Sequence, residues 1–168
     1  MSQATLLDGI TVLDATQVMA GPYCAMLLAD MGARVIKVEP PAGDSSRAMA
    51  GTRGNDSPAF NAVNRGKLGP VLDLNTAQGR GVFVTLSRTA DIVIENFRPG
   101  VMARFGLDYA TLTAANPRLI YASISGHGQT GPWAAKGGFD LIAQGLSGLM
   151  SVTGHPGEAP AKVGVPIT

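Results

Sequence analysis

The sequence has few of the features that mark secreted or membrane proteins. Its one cysteine, Cys24, cannot form a disulfide within the chain, and a secreted scaffold usually carries more. No stretch approaches the roughly 18 consecutive apolar residues of a transmembrane helix. Residues 1–8 have neither the basic flank nor the long apolar core of a signal peptide. These absences predict a soluble cytoplasmic protein with no membrane contact.

Charged and aromatic residues are scarce as well. Of the 168 residues, 15% are charged and 5% are aromatic, and the net charge is +1. The sequence has no run of Lys or Arg that could bind along the phosphate backbone of a nucleic acid, so nucleic acid is not an expected partner. His127 and His155 lack metal-ligand spacing to another His or Cys, so no metal is expected. The apolar fraction of 45% is enough for a packed core.

What the sequence does contain is an alternation of short β-rich runs and longer helical patterns. The patterns predict strands at residues 10–14, 34–39, 71–74, 91–95 and 119–124. They predict helices at residues 22–31, 77–88, 99–105, 109–115 and 139–152. This order predicts an α/β fold with a mainly parallel sheet. Ligands of such sheets bind beyond the carboxyl ends of the strands, so the candidate loops are residues 16–21, 96–100 and 126–132.

Two further stretches differ from this alternation. Residues 41–58 are rich in Gly, Ser, Asp and Arg without an apolar period, which predicts a long functional or mobile loop. Residues 162–168 form an apolar run that predicts a strand entering or crossing a core. Natural domains seldom stop inside such a strand, so this end indicates a fragment. A carboxy-terminal edge strand is the alternative.

The turn after the first predicted strand argues against a dehydrogenase. Residues 14–22 contain a single glycine, Gly21, where a nicotinamide-binding Rossmann protein has G-x-G-x-x-G. The turn still leads into a helix amino terminus, where free N–H groups favour an anion. A plain helix start is the alternative interpretation.

Two other positions carry possible binding or catalytic chemistry. Phe97 can stack on a purine, and Arg98 or Arg104 can pair with phosphate, although composition alone favours an ordinary turn here. Asp140 lies near a predicted helix start. It is either a carboxylate that interacts with the helix dipole or an active-site acid.

Ten segments together resemble the class III CoA-transferase family, also called the L-carnitine dehydratase/bile-acid-inducible protein F family. They are residues 9–14, 20–24, 31–39, 64–67, 72–74, 95–100, 116–121, 125–132, 139–144 and 164–167. Each segment is a modest motif, but the set follows the family order along the whole chain and is therefore specific.

The resemblance implies a fold and an assembly. The fold is a Rossmann-like, mainly parallel sheet with helices on both faces, in a large domain that is joined to a small one. Residues 1–168 correspond to the amino-terminal part of the large domain, with the remainder and the small domain absent. The complete protein is expected to be a homodimer of interlocked chains.

The resemblance also implies a reaction, the transfer of coenzyme A from an acyl-CoA thioester to a small carboxylic acid. An aspartate attacks the thioester, and an aspartyl-CoA intermediate passes CoA to the acceptor. In the family this aspartate directly follows the segment similar to residues 164–168. The present chain is therefore expected to be inactive alone.

By motif position, the resemblance implies a set of CoA contacts and a smaller set of residues near the thioester. The CoA contacts are Val18, Ala20, Leu72, Asn96, Phe97, Arg104, Phe105 and Phe139. Asp140 is expected to support catalysis near the thioester, and Met19 to lie beside the acyl group.

The chain also departs from the family pattern. Gly66 and Leu68 replace polar and basic residues, and Pro40 stands where formyl-CoA transferases have a basic residue. Met19 stands in place of their glutamine, which argues against oxalate or formate. Phe139 stands where acyl-CoA racemases have a histidine, so racemisation is disfavoured because a phenyl ring cannot transfer a proton.

Two classes of function stay open beside the disfavoured dehydrogenase. The first is a CoA-transferase represented by its amino-terminal part. The second is a truncated, non-catalytic paralogue that binds CoA or a partner chain. A reading frame that continues with aspartate after Thr168 supports the first, whereas a stop codon there supports the second.

Overall fold

The computed structural model describes residues 5–49 and 57–166, and in this part of the chain five strands form one parallel sheet. The strands are β1 (Thr11–Asp14), β2 (Arg34–Lys37), β3 (Lys67–Leu68), β4 (Ile92–Glu95) and β5 (Ile120–Ser123). Their spatial order is β3-β2-β1-β4-β5, and every pairing is parallel. The direction of strand addition reverses between β1 and β4, which makes this the switch point of the sheet.

The described residues contain six α-helices. They are α1 (Ala20–Asp30), α2 (Pro58–Asn64), α3 (Ala77–Ser87), α4 (Val101–Phe105), α5 (Tyr109–Ala115) and α6 (Asp140–Leu146). Short 3₁₀ turns cover Ser45–Ala48 and Leu149–Val152. As predicted, the Thr76 hydroxyl caps α3 by accepting a hydrogen bond from the Gly79 N–H at 3.0 Å.

Two apolar cores lie on opposite faces of the sheet because side chains alternate along each strand. Val12 and Ile94 belong to the core that α1 covers through Ala25. Their neighbours Leu13 and Val93 belong to the core that α3, α4 and α5 cover. Helices therefore lie on both faces, and the predicted Rossmann-like α/β class is confirmed.

The chain divides into two compact units, residues 1–124 and residues 125–168. The first unit contains the whole sheet, and the second contains α6 and the 3₁₀ turn that follows it. Within residues 125–166 there is no strand. The predicted strand at 162–168 is therefore wrong for residues 162–166, and residues 167–168 lie outside the described residues.

Three other predicted elements differ from the structure. At predicted strand 71–74, only Val71 pairs, through a single bridge to Glu39. The ladder stops there because the next donor would be the backbone of Pro41, which has no N–H. The predicted helix 139–152 stops at Leu146, and Gly148 follows at φ 80°.

The predicted loop 41–58 contains the 3₁₀ turn at Ser45–Ala48, and its last residue, Pro58, begins the unpredicted helix α2. Ser57 caps α2 by accepting a hydrogen bond from the Phe60 N–H, and Pro58 occupies its first turn, where no N–H is needed. Residues 50–56 of this loop lie outside the described residues.

Candidate functional site

Buried charged side chains gather at the carboxyl-terminal edge of the sheet. Lys37, at the end of β2, donates hydrogen bonds from Nζ to the Thr16 carbonyl at 2.8 Å and to Asp44 Oδ2 at 2.9 Å. The side chains of Lys37 and Asp44 are 2% and 0% exposed. Buried charges are tolerated only when they are paired and hydrogen-bonded, so each group depends on the other.

A second buried lysine ties β1 to the start of α1. Lys67 donates from Nζ to Asp14 Oδ2 at 2.9 Å, to the Pro22 carbonyl at 2.8 Å and to Asn64 Oδ1 at 2.8 Å. Three acceptors satisfy the three donors of an ammonium group. Burial lowers the pKa of Lys67, and the charge of Asp14 partly offsets that effect.

Asp44 connects three segments of the edge. Its Oδ1 accepts hydrogen bonds from the Val18 N–H at 3.1 Å, the Ser46 N–H at 2.9 Å and the Ser46 hydroxyl at 2.8 Å. Burial alone would raise the pKa of Asp44, but the bonds from Ser46 and the Lys37 ammonium outweigh burial, so the pKa is lowered. Asp44 is therefore ionised at neutral pH.

A third ion pair holds the loop that carries Asp44. Arg47 donates from Nε and Nη2 to the two carboxylate oxygens of Glu39, each at 2.7 Å. The Arg47 guanidinium also lies 3.6 Å from the centre of the Phe60 ring. Hydrogen bonding from Arg47 lowers the pKa of Glu39 against the opposing effect of burial.

The turn between β1 and α1 contains a strained residue. Val18 has φ 70°, and it is the one non-glycine residue with a positive φ in the described parts of the chain. A β-branched residue in this region costs about 1–3 kcal/mol, which the surroundings must offset. Such strain is concentrated at functional sites.

A pocket of about 170 Å³ lies at the same edge of the first unit. It is lined by Ala15, Gln17, Val38, Pro40, Leu72, Asp73, Leu74, Asn75, Phe97 and Phe105. The rings of Phe97 and Phe105 meet edge to face, with centroids 6.4 Å apart. The lining suits a planar apolar group that keeps polar atoms near Asp73 and Asn75.

Three of the residues predicted to contact CoA, Leu72, Phe97 and Phe105, line this pocket together. The side-chain amide of Asn96 instead forms hydrogen bonds with the turn between β1 and α1. Its Oδ1 accepts a hydrogen bond from the Gln17 N–H at 2.8 Å, and its Nδ2 donates to the Gln17 carbonyl at 2.7 Å. Because Gln17 also lines the pocket, Asn96 couples the pocket to the turn.

The other predicted residues of the first unit are accessible. Val18 is 40% exposed, Met19 is 36% exposed, and Ala20 is exposed at the start of α1. Arg104 is exposed in the last turn of α4, and it forms no ion pair within residues 5–49 and 57–166. Its charge is therefore available to an anionic ligand.

In the second unit, Phe139 and Asp140 begin α6. Phe139 is 68% exposed, and the Asp140 carboxylate accepts a hydrogen bond from Gln144 Nε2 at 2.7 Å. The opposite end of the same amide, Gln144 Oε1, accepts a hydrogen bond from the Val163 N–H at 2.8 Å. Gln144 therefore joins the predicted catalytic carboxylate to the segment near the end of the chain.

Sequence reasoning missed the residues that hold the edge together, namely Lys37, Asp44 and Lys67. It also missed Gln144, which is buried in the second unit. One signal was visible, because Lys37 interrupts the apolar run of β2 and so had to be buried with a partner. The position of Asp44 carried no such signal. Its partners are fixed by the path of the loop.

A comparison with protein families gives a match to CoA-transferase family III over residues 7–168. The chain belongs to this family. In it, succinate–glutarate CoA-transferase of Agrobacterium fabrum is 48% identical, with 96% of this chain and 42% of the relative covered. Acetyl-CoA:oxalate CoA-transferase of Acetobacter aceti is 49% identical, with 94% and 41% covered. The chain thus spans about two fifths of the length of these curated CoA-transferases.

A solved structure supports the same assignment to family III. The CAIB/BAIF family protein from Brucella suis matches with a TM-score of 0.93 and 43% identity, over 98% of this chain and 45% of that one. No cluster of three or more His, Cys, Asp and Glu side chains in the described residues is arranged to hold a metal. None of the helices in that same part is long and apolar enough to cross a membrane.

Proposed function

We propose that the complete protein moves CoA from an acyl-CoA thioester to a small carboxylic acid through an aspartyl-CoA intermediate. The observation that carries this proposal is the aromatic pocket beside the strained first turn. Gln17 belongs to both, since it lines the pocket and its backbone is held by Asn96. Membership in CoA-transferase family III supports acyl-CoA as the ligand.

In this proposal the nucleotide end of CoA enters the pocket. Phe97, Phe105 and Leu72 supply apolar and aromatic surface for the adenine, and the exposed guanidinium of Arg104 attracts a phosphate. The pantetheine arm then passes Val18 and Ala20, with Met19 beside the acyl group. The exposure of these turn residues supports this path.

The chemistry requires a carboxylate nucleophile, which we assign to an aspartate directly after Thr168 in the complete protein. Its oxygen attacks the thioester carbonyl and expels CoA thiolate, which leaves a mixed anhydride. The thiolate attacks the aspartyl carbonyl and releases the donor acid. The acceptor carboxylate then attacks the carbonyl of the resulting aspartyl-CoA thioester and expels CoA thiolate, which leaves a new mixed anhydride. CoA thiolate attacks its acceptor carbonyl, which forms the new acyl-CoA and regenerates the aspartate.

In this scheme Asp140 supports the reaction, and its carboxylate is held by Gln144. Residues 1–168 alone do not transfer CoA, because the nucleophile is not among them. Racemisation is not proposed, since Phe139 cannot carry a proton. The relatives named for succinate, glutarate and oxalate support a small acid as the acceptor.

The test uses the complete gene product with succinyl-CoA and a panel of small mono- and dicarboxylic acids. We expect CoA transfer to at least one acid, and a CoA adduct on the peptide that follows residue 168. The matched control replaces that aspartate with alanine, which removes both signals. The proposal would be excluded if the complete protein showed no transfer and no calorimetric binding of CoA at millimolar concentration.

A truncated paralogue that binds CoA without chemistry is the alternative, and it predicts calorimetric binding of CoA without transfer. Rapid exchange of the α-proton of an acyl-CoA in heavy water would instead favour a racemase. We also propose a cytoplasmic homodimer of interlocked chains for the complete protein. Light scattering that shows a monomer would contradict the dimer.

A further inference from the structure

The turn at residues 16–18 is held by side chains from four different segments. The Thr16 N–H donates to Asp14 Oδ1 at 2.9 Å, and its carbonyl accepts from Lys37. The Asn96 amide holds both backbone polar groups of Gln17, as described above. The next backbone donor, the Val18 N–H, is bound by Asp44. The backbone N–H and carbonyl groups of Thr16 and Gln17 and the N–H of the strained Val18 thus all have side-chain partners.

Asp44 acts on this turn twice. Its Oδ1 binds the Val18 N–H directly, and its Oδ2 binds the Lys37 ammonium that holds the Thr16 carbonyl. The carboxylate is fully buried, and its negative charge is the counter-charge of Lys37. Asp44 is absent from the pocket lining, so an effect on a ligand there has to pass through the turn.

We propose that Asp44 is a positioning residue of the acyl-CoA site, holding Val18 in its left-handed conformation directly and through Lys37. The role rests on the proposed function, since it assigns the turn to acyl-CoA binding. Without the carboxylate, Val18 relaxes to a negative φ, as β-branched residues prefer. The neighbouring Met19 and Ala20 then leave the positions that the thioester arm requires.

The test is Asp44→Asn in the complete gene product. The amide oxygen remains an acceptor for the Val18 N–H, but the NH₂ group then faces the Lys37 ammonium in place of a charged oxygen. We expect the KM for acyl-CoA to rise about tenfold or more, as for loss of one charge-assisted hydrogen bond, with the acceptor KM changing less than about threefold. A similar rise in both KM values would overturn the proposal.

A matched core variant separates positioning from general loss of stability. Leu112 is fully buried on α5 and belongs to the apolar core on the face of the sheet opposite α1. Leu112→Ala lowers the melting temperature, but we expect its KM for acyl-CoA to stay within about twofold of wild type. A tenfold rise in this control would show that destabilisation alone explains the effect of Asp44→Asn.

Rescue by glycine tests whether Asp44 acts through Val18. Glycine adopts positive φ without strain, so in a Val18→Gly background the further rise caused by Asp44→Asn should fall below about threefold. An equal rise in both backgrounds would overturn the proposal. If Asp44→Asn does not fold, Asp44→Glu keeps the charge but displaces the carboxylate, and the same comparison applies.

Hydrogen exchange gives a measurement that does not depend on transfer. Asp44→Asn should speed exchange of the Val18 amide at least about tenfold, while core amides of β1 change less. Unchanged exchange would overturn the positioning role alone. Absence of both CoA binding and transfer in the wild-type protein would overturn the proposed function, whatever the exchange result.

Discussion

The two units differ in what surrounds their buried polar side chains. In the first unit, Lys37, Asp44 and Asp14 are buried beside a sheet that has an apolar core on each face. In the described part of the second unit, Gln144 is the one buried side chain, and apolar residues of α6 such as Leu141 and Leu146 are more than half exposed.

This difference shows how each unit holds its candidate functional residues. The turn at Val18 is stabilised by paired charges inside a well-packed unit. Disturbing its geometry therefore leaves a buried charge without a partner and lowers the free energy of unfolding. The Asp140 carboxylate accepts a hydrogen bond from the buried amide of Gln144, in a unit without a strand or a buried apolar side chain among its described residues. We expect disruption of the first to affect global stability and disruption of the second to remain local.

The largest expected effect is on the buried ion pair. Lys37→Met keeps the length of the side chain but leaves Asp44 buried without its counter-charge. We expect a loss of about 3–5 kcal/mol in the free energy of unfolding, measured by urea denaturation. Arg65→Met removes the exposed pair with Asp30 and should cost less than about 1 kcal/mol. Equal losses would remove the distinction between buried and exposed pairs.

The proposed phosphate contact of Arg104 gives the next effect, on binding rather than stability. Arg104→Gln should raise the KM for acyl-CoA roughly five- to twentyfold with little change in kcat, because one phosphate contact is lost. Arg118 is also exposed, and Arg118→Gln serves as the control. A fall in kcat at unchanged KM would contradict the assignment of Arg104 to the phosphates.

Gln144 tests the second unit in the same way that Lys37 tests the first. Gln144→Leu leaves the Val163 N–H without its acceptor, so amide exchange at residues 163–165 should rise. The free energy of global unfolding should change by only about 1 kcal/mol. Gln129→Leu, at an exposed position in the same unit, is the matched control. A loss as large as that of Lys37→Met would show that the two units unfold together.

The smallest expected effect is a pH dependence in the first unit. Burial raises the pKa of Glu95, and hydrogen bonds from Ser123 and Phe97 only partly offset it. Above pH 4.5, the ordinary pKa, the unfolded chain releases a proton that the folded chain retains. Stability from this group therefore falls as pH rises, until the folded pKa is passed.

In the wild-type protein this effect lowers the melting temperature as pH rises above the ordinary carboxyl pKa. Glu95→Gln should make the melting temperature fall less steeply between pH 5 and pH 8. Hydrogen bonding from Thr111 lowers the pKa of Asp108, so its titration lies below this range. Asp108→Asn should therefore leave the slope unchanged. An unaltered slope in Glu95→Gln would assign the pH dependence to other groups.

Sequence reasoning succeeded where local patterns dominate. The β-branched runs of β1 and β2, the Thr76 cap and the glycine that ends α4 are short-range signals, and the elements formed there. It failed at residues 72–74, where Pro41 on the facing segment has no N–H to continue the pairing, and at Gly148, whose positive φ ends the helical pattern. Both failures lay in single residues that override a pattern.

The candidate site was only partly predictable. The resemblance selected Leu72, Phe97 and Phe105, which line one pocket, but it gave Asn96 as a ligand contact when both ends of its amide are bonded to Gln17. Gln17 and Asn96 are 79 residues apart. No local pattern encodes a contact at that separation, so the prediction that Asn96 touches CoA stays a prediction.

The sequence by itself determined the alternation of strands and helices, because hydrophobic period and helix caps act over a few residues. It also carried the ordered motifs of the family. Tertiary structure alone decided which buried charges meet, since Lys37, Asp44 and Thr16 come together only when β2, its loop and the first turn have packed. Desolvation then makes each of these contacts necessary, because a buried charge without a partner is too costly to keep.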